Sequence, residues 1–398
     1  MAHGYNGRIL HVDLGAGQTW TEEPPALWYR TYLGGGAMAG YYLLKEMKAG
    51  IDPLGPDNLL IFASNVISGA PVSGFSRYTV AAKSPLTRGF GEAEAGGWWG
   101  PEMKFAGFDG IVIRGCAPEP VYLWIHDGQA ELRPAGHLWG LDNGQARDRI
   151  LDELKDERVR IASIGPAGER MVRFACVINE LRHTNGRTGM GAVMGSKNLK
   201  AVAVRGTKKM TFARPKEVAS LAKWHNEQLR VHPPSVQLSE FGTPGLVAGL
   251  NASGILPTRN FREGVFEGAD KISGQAMVGT ILKGRESCYA CSVHCKRVIQ
   301  CTEPYSVEPR FGGPEYETLA AFGSLCAIDN LPAIAKGHEL CNRLGLDTIS
   351  TGALTDGYPL EKARHHSVRR PDLIVTITAN LAPRFCDVTR GSCPNRPS

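Results

Sequence analysis

Three thiols stand close together at Cys288, Cys291 and Cys295, in the run Ser-Cys-Tyr-Ala-Cys-Ser-Val-His-Cys-Lys, and Cys301 follows. Linkers this short let successive sulfurs face one centre when the backbone curls around it. Structural zinc uses a closed tetrahedral set, often as two ligand pairs separated in sequence. A [4Fe–4S] cluster takes four thiolates, commonly three clustered and one remote. No second CxxC pair follows here, so the spacing favours the cluster. Zinc stays open as the alternative, as do buried, unligated cysteines. For a fourth ligand, Cys301 is near, but residues 298–300 read as a strand that would carry it away. Cys386 and Cys393 are remote candidates.

A second set of segments suits an anionic ligand. Residues 71–77 and 89–100 combine small residues with Arg77 and the paired Trp98 and Trp99. Small residues let backbone amides approach a ligand, and an arginine offers a planar fork to phosphate. The alternative is a glycine-rich connection whose tryptophans belong to the core. Residues 181–200 interleave glycines with Arg182, His183 and Arg187, which suits a ligand with several negative charges. Gly34, Gly35 and Gly36 precede a helix. Such a run can hold an anion on free N–H groups, but tight packing of the helix start is favoured.

The elements that must position these groups change character along the chain. Residues 8–14 and 19–22 read as a hairpin, followed by helices at 26–33 and 37–48. Strands are expected at 59–64, 78–83, 109–114, 121–126, 130–134, 159–164, 174–178 and 201–205, with an amphipathic helix at 143–155. Residues 207–215 read as a linker. Helices are then expected at 216–231, 242–250, 275–284, 318–325 and 331–344. The fold class is therefore α+β, a sheet-rich domain at 1–207 followed by a mainly helical domain at 208–352 that carries the cysteines. Residues 353–398 lose this periodicity and become rich in Arg, Ser and Pro.

Composition sets further bounds. The chain has 398 residues, 42% hydrophobic, 21% charged, with a formal net charge of +6. That is ample for two domains. The basic residues are scattered, so no nucleic-acid partner is expected. No apolar run is long enough for a membrane span. Ten cysteines without a secreted-type framework, and no leader-like start, point to the reducing cytoplasm.

Several stretches together resemble the tungsten-containing aldehyde ferredoxin oxidoreductases. They are Gly7–Leu14, Tyr32–Gly36, Ser84–Thr87, Gly96–Asp109, Ile164–Glu169, Gly186–Ala201, Gly313–Thr318 and Gly345–Ser350, in that order along the chain with the cysteine run. The resemblance implies a sheet-rich base for two pyranopterins, with helical domains covering the metal. It implies aldehyde oxidation to carboxylate at a tungsten bis-pyranopterin, with electrons leaving through a [4Fe–4S] cluster to ferredoxin. Mg2+ bridging the pterin phosphates and a homodimer are further implications.

Carried over by residue, Arg77 corresponds to an arginine between pterin and cluster, and Gly96 to a pterin-contacting glycine. Glu94 stands where an asparagine is usual, and His183 where arginine is frequent. Gly186 and Arg187 match the pterin-phosphate loop. Asn342, Leu346 and Asp347 match an element that holds one pterin, and Cys288, Cys291 and Cys295 match cluster ligands. Glu317, with Glu315 as second choice, falls where a carboxylate lies near the metal. Burial would favour its proton-holding form; the alternative is a glutamate at a helix start. The resemblance also implies a third domain with the fourth cysteine and the second pterin element, which the tail from about Ala353 does not match. The expectation is a truncated family member. Two rival readings are a tungsten subunit of a benzoyl-coenzyme A reductase-type complex and an inactive cofactor-binding remnant.

Overall fold

The computed structural model describes residues 3–356. The expectations for the tail, including Cys386 and Cys393, lie outside the described residues. Helical structure does continue past Gly352, in the helix Thr348–Asp356. The described chain divides into two compact units, residues 3–226 with Cys288–Cys291, and Glu227–Ser287 with residues 292–356. The division falls inside the helix Pro215–Val231 rather than in the stretch 207–215 read as the linker. Asn226 on that helix accepts a hydrogen bond from Ser73 at 2.9 Å, which ties the front of the helix to the first unit.

Two six-stranded sheets build the first unit. One has the order β2-β1-β6-β3-β4-β5, with β1 Ile9–Asp13, β2 Gln18–Glu22, β3 Leu60–Ser64, β4 Tyr78–Lys83, β5 Phe90–Ala95 and β6 Gly110–Arg114. Only β1 and β6 pair in parallel there. The other has the order β11-β10-β9-β12-β7-β8, with β7 Val121–His126, β8 Gln129–Pro134, β9 Arg160–Ser163, β10 Val177–Asn179, β11 His183–Asn185 and β12 Leu199–Arg205. Alternation puts Leu10, Val12, Phe62, Tyr78 and Val80 of the first sheet into the same core as Leu123, Ile125, Val202 and Val204 of the second. Trp99 sits in that core, fully buried, against Tyr78 and Phe62, and its indole N–H donates to the Val202 carbonyl at 2.9 Å. The helices Ala26–Tyr32 and Gly35–Glu46 cover the outer face of the first sheet with Trp28, Tyr29 and Tyr42. The helix Asn143–Leu154, opened by an Asp142–Gln145 capping box, covers the second with Ile150 and Leu151.

Asp109 fixes the entry of the chain. Its buried carboxylate accepts from the backbone N–H groups of Asn6 and Gly7 at 2.8–3.0 Å and from the Lys104 ammonium at 2.6 Å. The glycine run at 34–36 serves packing. Gly34 has φ 114, and a Cβ on it would collide with the backbone of Ser64, while one on Gly36 would collide with the Glu92 carboxylate.

The second unit is mainly helical, with the hairpin β13 Leu282–Glu286 and β14 Lys296–Ile299. Its longest helix entirely within the described unit, Leu331–Leu344, has Asn330 as N-cap and Gly345 in the left-handed conformation at its end. The segment expected as one helix at 318–325 is instead a short α-turn, Tyr316–Leu319, running into the π-helical Ala320–Ser324. Among the described residues no helix is long and apolar enough to cross a membrane.

Candidate functional site

In the first unit the site grows from two edge strands. Residues 89–100, read as a loop, contain β5 and the helix Trp99–Phe105. The strand was hidden because its inward positions are only Gly91, Ala93 and Ala95, while Phe90, Glu92 and Glu94 face out. Residues 181–200 likewise contain β11 and the helix Met190–Ser196. β5 and β11 lie side by side. Asn185 donates to the Ala93 carbonyl at 2.8 Å and Thr188 to the Glu92 carbonyl at 3.2 Å. Trp99 is core, as one reading of the paired tryptophans required, whereas Trp98 is 38% exposed.

This junction gathers the expected residues of the first unit. Arg77 and Glu94 approach to 3.7 Å, both largely open to solvent. The glutamate in the asparagine position thus gives Arg77 a counter-charge. Gly96 follows β5, and a Cβ there would stand 2.8 Å from the Cys288 sulfur. Gly97 has φ 96, and its Cβ would meet Asn179 Oδ1, Glu180 Oε2 and the buried His183 ring within 2.9 Å. Only glycine fits such a place. The backbone N–H of Tyr289 donates to the Gly97 carbonyl at 3.1 Å, so the cysteine loop rests on the glycine pair. The Tyr289 ring meets Trp98 and Phe105 edge-on. Gly186 and Arg187 continue from β11, with Arg187 exposed.

The sequence reading passed over Asn179 and Glu180. Glu180 accepts from the Trp98 backbone N–H at 3.0 Å. Burial pushes its carboxyl up to about 7, although that hydrogen bond and the nearby Arg160, Arg182 and Arg147 pull it down. Asn179 Oδ1, Glu180 Oε1 and Asn185 Oδ1 are buried acceptors that find no hydrogen-bond partner among the described residues. Acceptors left so beside a close glycine approach suit a ligand that carries N–H donors. The only sequence hint was a polar Asn-Glu pair directly after an apolar strand.

The cysteine run turns back on itself between successive thiols. Cys288, Cys291 and Cys295 are half-buried cysteines outside any disulfide. The Cys291 N–H closes a turn on the Cys288 carbonyl at 3.2 Å. Ala290 and His294, each directly before the next cysteine, take φ 52 and 55 and bend the chain back. Among the described residues no three His, Cys, Asp or Glu side chains close on one point as a lone ion requires. Cys301 lies just past the end of β14 and donates to the Tyr305 carbonyl at 3.2 Å.

In the second unit a polar group forms around Glu315. This residue precedes the helix Tyr316–Leu319; it receives the Lys296 ammonium at 2.5 Å and the Thr243 hydroxyl. Burial acts to raise its carboxyl, but Lys296, Thr243 and His338 outweigh this and hold it below the usual range. His338 is buried, and burial lowers it to about 4. Asn342 donates to His338 Nε2 at 3.1 Å and to the Phe311 carbonyl at 2.9 Å. His338, which no sequence motif marked, is hydrogen-bonded to Asn342 and acts on Glu315 only electrostatically. Glu317 stands apart: it is exposed, so the burial expected to favour its protonated form is absent. Leu346 is core, and Asp347 caps the following helix by accepting from the N–H of Ile349 and Ser350 at 3.1 and 3.2 Å.

Comparison with known proteins identifies the family of the chain. The profile of "Aldehyde ferredoxin oxidoreductase, N-terminal domain" matches residues 9–206, and that of "Aldehyde ferredoxin oxidoreductase, domains 2 & 3" matches residues 220–356. A tungsten-containing aldehyde ferredoxin oxidoreductase of Pyrococcus furiosus is 41% identical over 351 residues, covering 88% of this chain and 57% of that protein. An aliphatic sulfonate oxidoreductase WOR-like subunit of the same organism is 30% identical over 394 residues, 93% of this chain and 61% of that protein. Among solved structures, a chain of the active-site complex of benzoyl coenzyme A reductase with 1,5-dienoyl-CoA superposes with a TM-score of 0.83 at 26% identity, covering 97% of this chain and 61% of that one. The chain spans 57% of the length of the aldehyde oxidoreductases it matches. With both family profiles placed in order along one α+β chain, the protein belongs to the aldehyde ferredoxin oxidoreductase family.

Proposed function

We propose that the protein takes part in oxidising aldehydes to carboxylates at a tungsten bis-pyranopterin, with electrons passed through a [4Fe–4S] cluster to ferredoxin. The observation that carries this reading is the Cys288 sulfur seated against Gly96, beside buried acceptors with no partner. A pterin offers N–H donors to such acceptors, and the closeness of the Cys288 sulfur to Gly96 supports a cluster beside it. When bound, the metal–pterin group supplies the two-electron chemistry.

The chain's own residues bind and orient. Gly96 and Gly97 permit close approach, Asn179, Glu180 and His183 face that approach, and Arg77, Gly186 and Arg187 would hold the pterin phosphates, with Mg2+ as counter-ion. Asn342, Leu346 and Asp347 are the assigned second-unit contacts to pterin. Since the Asp347 carboxylate is engaged as a helix cap, its contribution is to fix that backbone. Cys288, Cys291 and Cys295 ligate iron. Glu315 is the better-placed carboxylate for holding or moving a proton, because it is paired with Lys296 and accepts from Thr243, while Glu317 is exposed. The aldehyde gains the oxygen of water, and an electron pair and protons leave the site.

The test is tungsten, iron and pterin content of the purified chain, followed by reduction of a one-electron acceptor with simple aldehydes. Stoichiometric tungsten and iron with aldehyde-dependent reduction support the reading. Iron without tungsten would sink it in favour of the remnant. A second reading, a reductase of aromatic coenzyme A thioesters, is favoured by the superposition over 97% of the chain. Tungsten with activity only on such thioesters would select it.

A further inference from the structure

We infer that Arg297 is a positioning residue for the iron–sulfur centre: its guanidinium locks the segment carrying Cys295 to the end of a helix and keeps a permanent positive charge beside that thiolate. This rests on reading Cys288, Cys291 and Cys295 as iron–sulfur ligands.

Arg297 lies on β14, two residues after Cys295, and is 2% exposed. Its Nη1 donates to the Glu240 carbonyl at 2.5 Å, and its Nη2 to the carbonyls of Ser239 at 2.9 Å and His294 at 2.7 Å. Ser239 and Glu240 belong to the last turn of the helix Pro233–Phe241. Carbonyls there have no partner within the helix and carry the negative end of its dipole, so a buried guanidinium satisfies both. The third carbonyl belongs to His294, the left-handed residue immediately before Cys295. One planar fork therefore ties a helix end to the turn that presents a sulfur. Gly242, the first residue after the helix, completes the lock. It has φ 66, and a Cβ on it would stand 2.9 Å from the Cys295 carbonyl oxygen and 3.1 Å from Arg297 Nε.

All three acceptors are neutral, so the charge of Arg297 has no hydrogen-bonded counter-ion among them. Burial disfavours that charge, and Arg285, its partner across the β13–β14 pair, adds like-charge repulsion. The Cys295 sulfur and the Glu315 carboxylate act the other way. Glu315 is already held by Lys296. A cluster bound through Cys295 gains negative charge on reduction, and a fixed buried cation beside it favours that state. Lysine would keep the charge but cannot span three carbonyls with a rigid fork.

The experiment compares wild type, R297K and R297Q as the purified full chain. It reads iron per chain, the rate of iron loss to a chelator, and the cluster midpoint potential by redox titration followed by electron paramagnetic resonance. R297Q is expected to shift the potential downward and to lose iron roughly 10–100-fold faster, the usual scale for outer-shell partners of a metal site. R297K is expected to hold the wild-type potential while losing iron faster than wild type. Wild-type potential in R297Q, or wild-type iron retention in R297K, overturns the inference. If R297Q does not fold, R297K decides alone by the same retention criterion. A wild-type chain that takes up no iron overturns the cluster reading itself, which the iron assay distinguishes from failure at Arg297.

Discussion

The sulfur of Cys288 lies 2.8 Å from the point where a Cβ on Gly96 would stand. A methyl group cannot share that space, and the neighbour that must yield is one of the three cysteines proposed above to hold iron. Gly96→Ala is therefore expected to cost about 1–3 kcal/mol through overpacking and to lower iron per chain. Gly40→Ala is the control. It lies in the helix Gly35–Glu46 with nothing within 4 Å of the added methyl, and it is expected to stabilise by up to about 1 kcal/mol with iron unchanged. Iron analysis with thermal melts of both variants checks this, and equal iron in G96A and wild type would refute it.

Glu180 gives stability a basic limb. Its carboxyl holds a proton up to about 7 in the folded chain, against 4.5 for the free side chain. Its contribution is complete below the unfolded value and is lost as pH rises through the folded one. E180Q, which mimics the protonated acid, is expected to match wild type near pH 4.5 and to unfold at higher denaturant than wild type above pH 7. Parallel pH curves for the two proteins would contradict the assignment.

His338 gives an acid limb of opposite origin. Folding lowers its pKa from 6.5 to about 4, so its contribution is present above 6.5 and is lost as pH falls toward 4. The shift corresponds to about 3 kcal/mol once both values are passed. H338Q is expected to flatten stability between those limits, read as denaturant midpoints across the range. A wild-type slope in H338Q would place the acid sensitivity elsewhere.

Trp99 bridges the two sheets through Phe62, Tyr78 and the Val202 carbonyl. Trp99→Ala is expected to cost about 3–5 kcal/mol, the range for removing a large buried aromatic. The neighbouring Trp98→Ala, at a 38% exposed position, is expected to cost far less. Chemical denaturation ranks the two, and a reversed order would overturn the placement of the core.

The strands with strong alternation or continuous apolar runs were legible. Tyr78–Lys83 and Val121–His126 match their expected limits, as does the helix Leu331–Leu344. β5 was not legible, because its buried positions carry glycine and alanine, which give no hydrophobic period. β11 was missed because it has only three residues and gains its meaning from β10 beside it. In the site, the cysteine spacing and the glycine loops were readable as types and intervals. The roles of Glu180, His338 and Arg297 were not, because each depends on burial and on partners distant in sequence. The proposed preference for Glu315 over Glu317 likewise rests on the Lys296 and Thr243 contacts.

Asp109 collects the amides of Asn6 and Gly7, and β1 lies in register with β6, Ile9 opposite Gly110. During synthesis the opening hairpin therefore emerges from the ribosome long before the strand that flanks it. Until Arg114 has cleared the exit tunnel, Ile9–Asp13 has an unmet edge and apolar side chains in water. The nascent chain thus carries an apolar strand with one edge unmet until Gly110–Arg114 follows it.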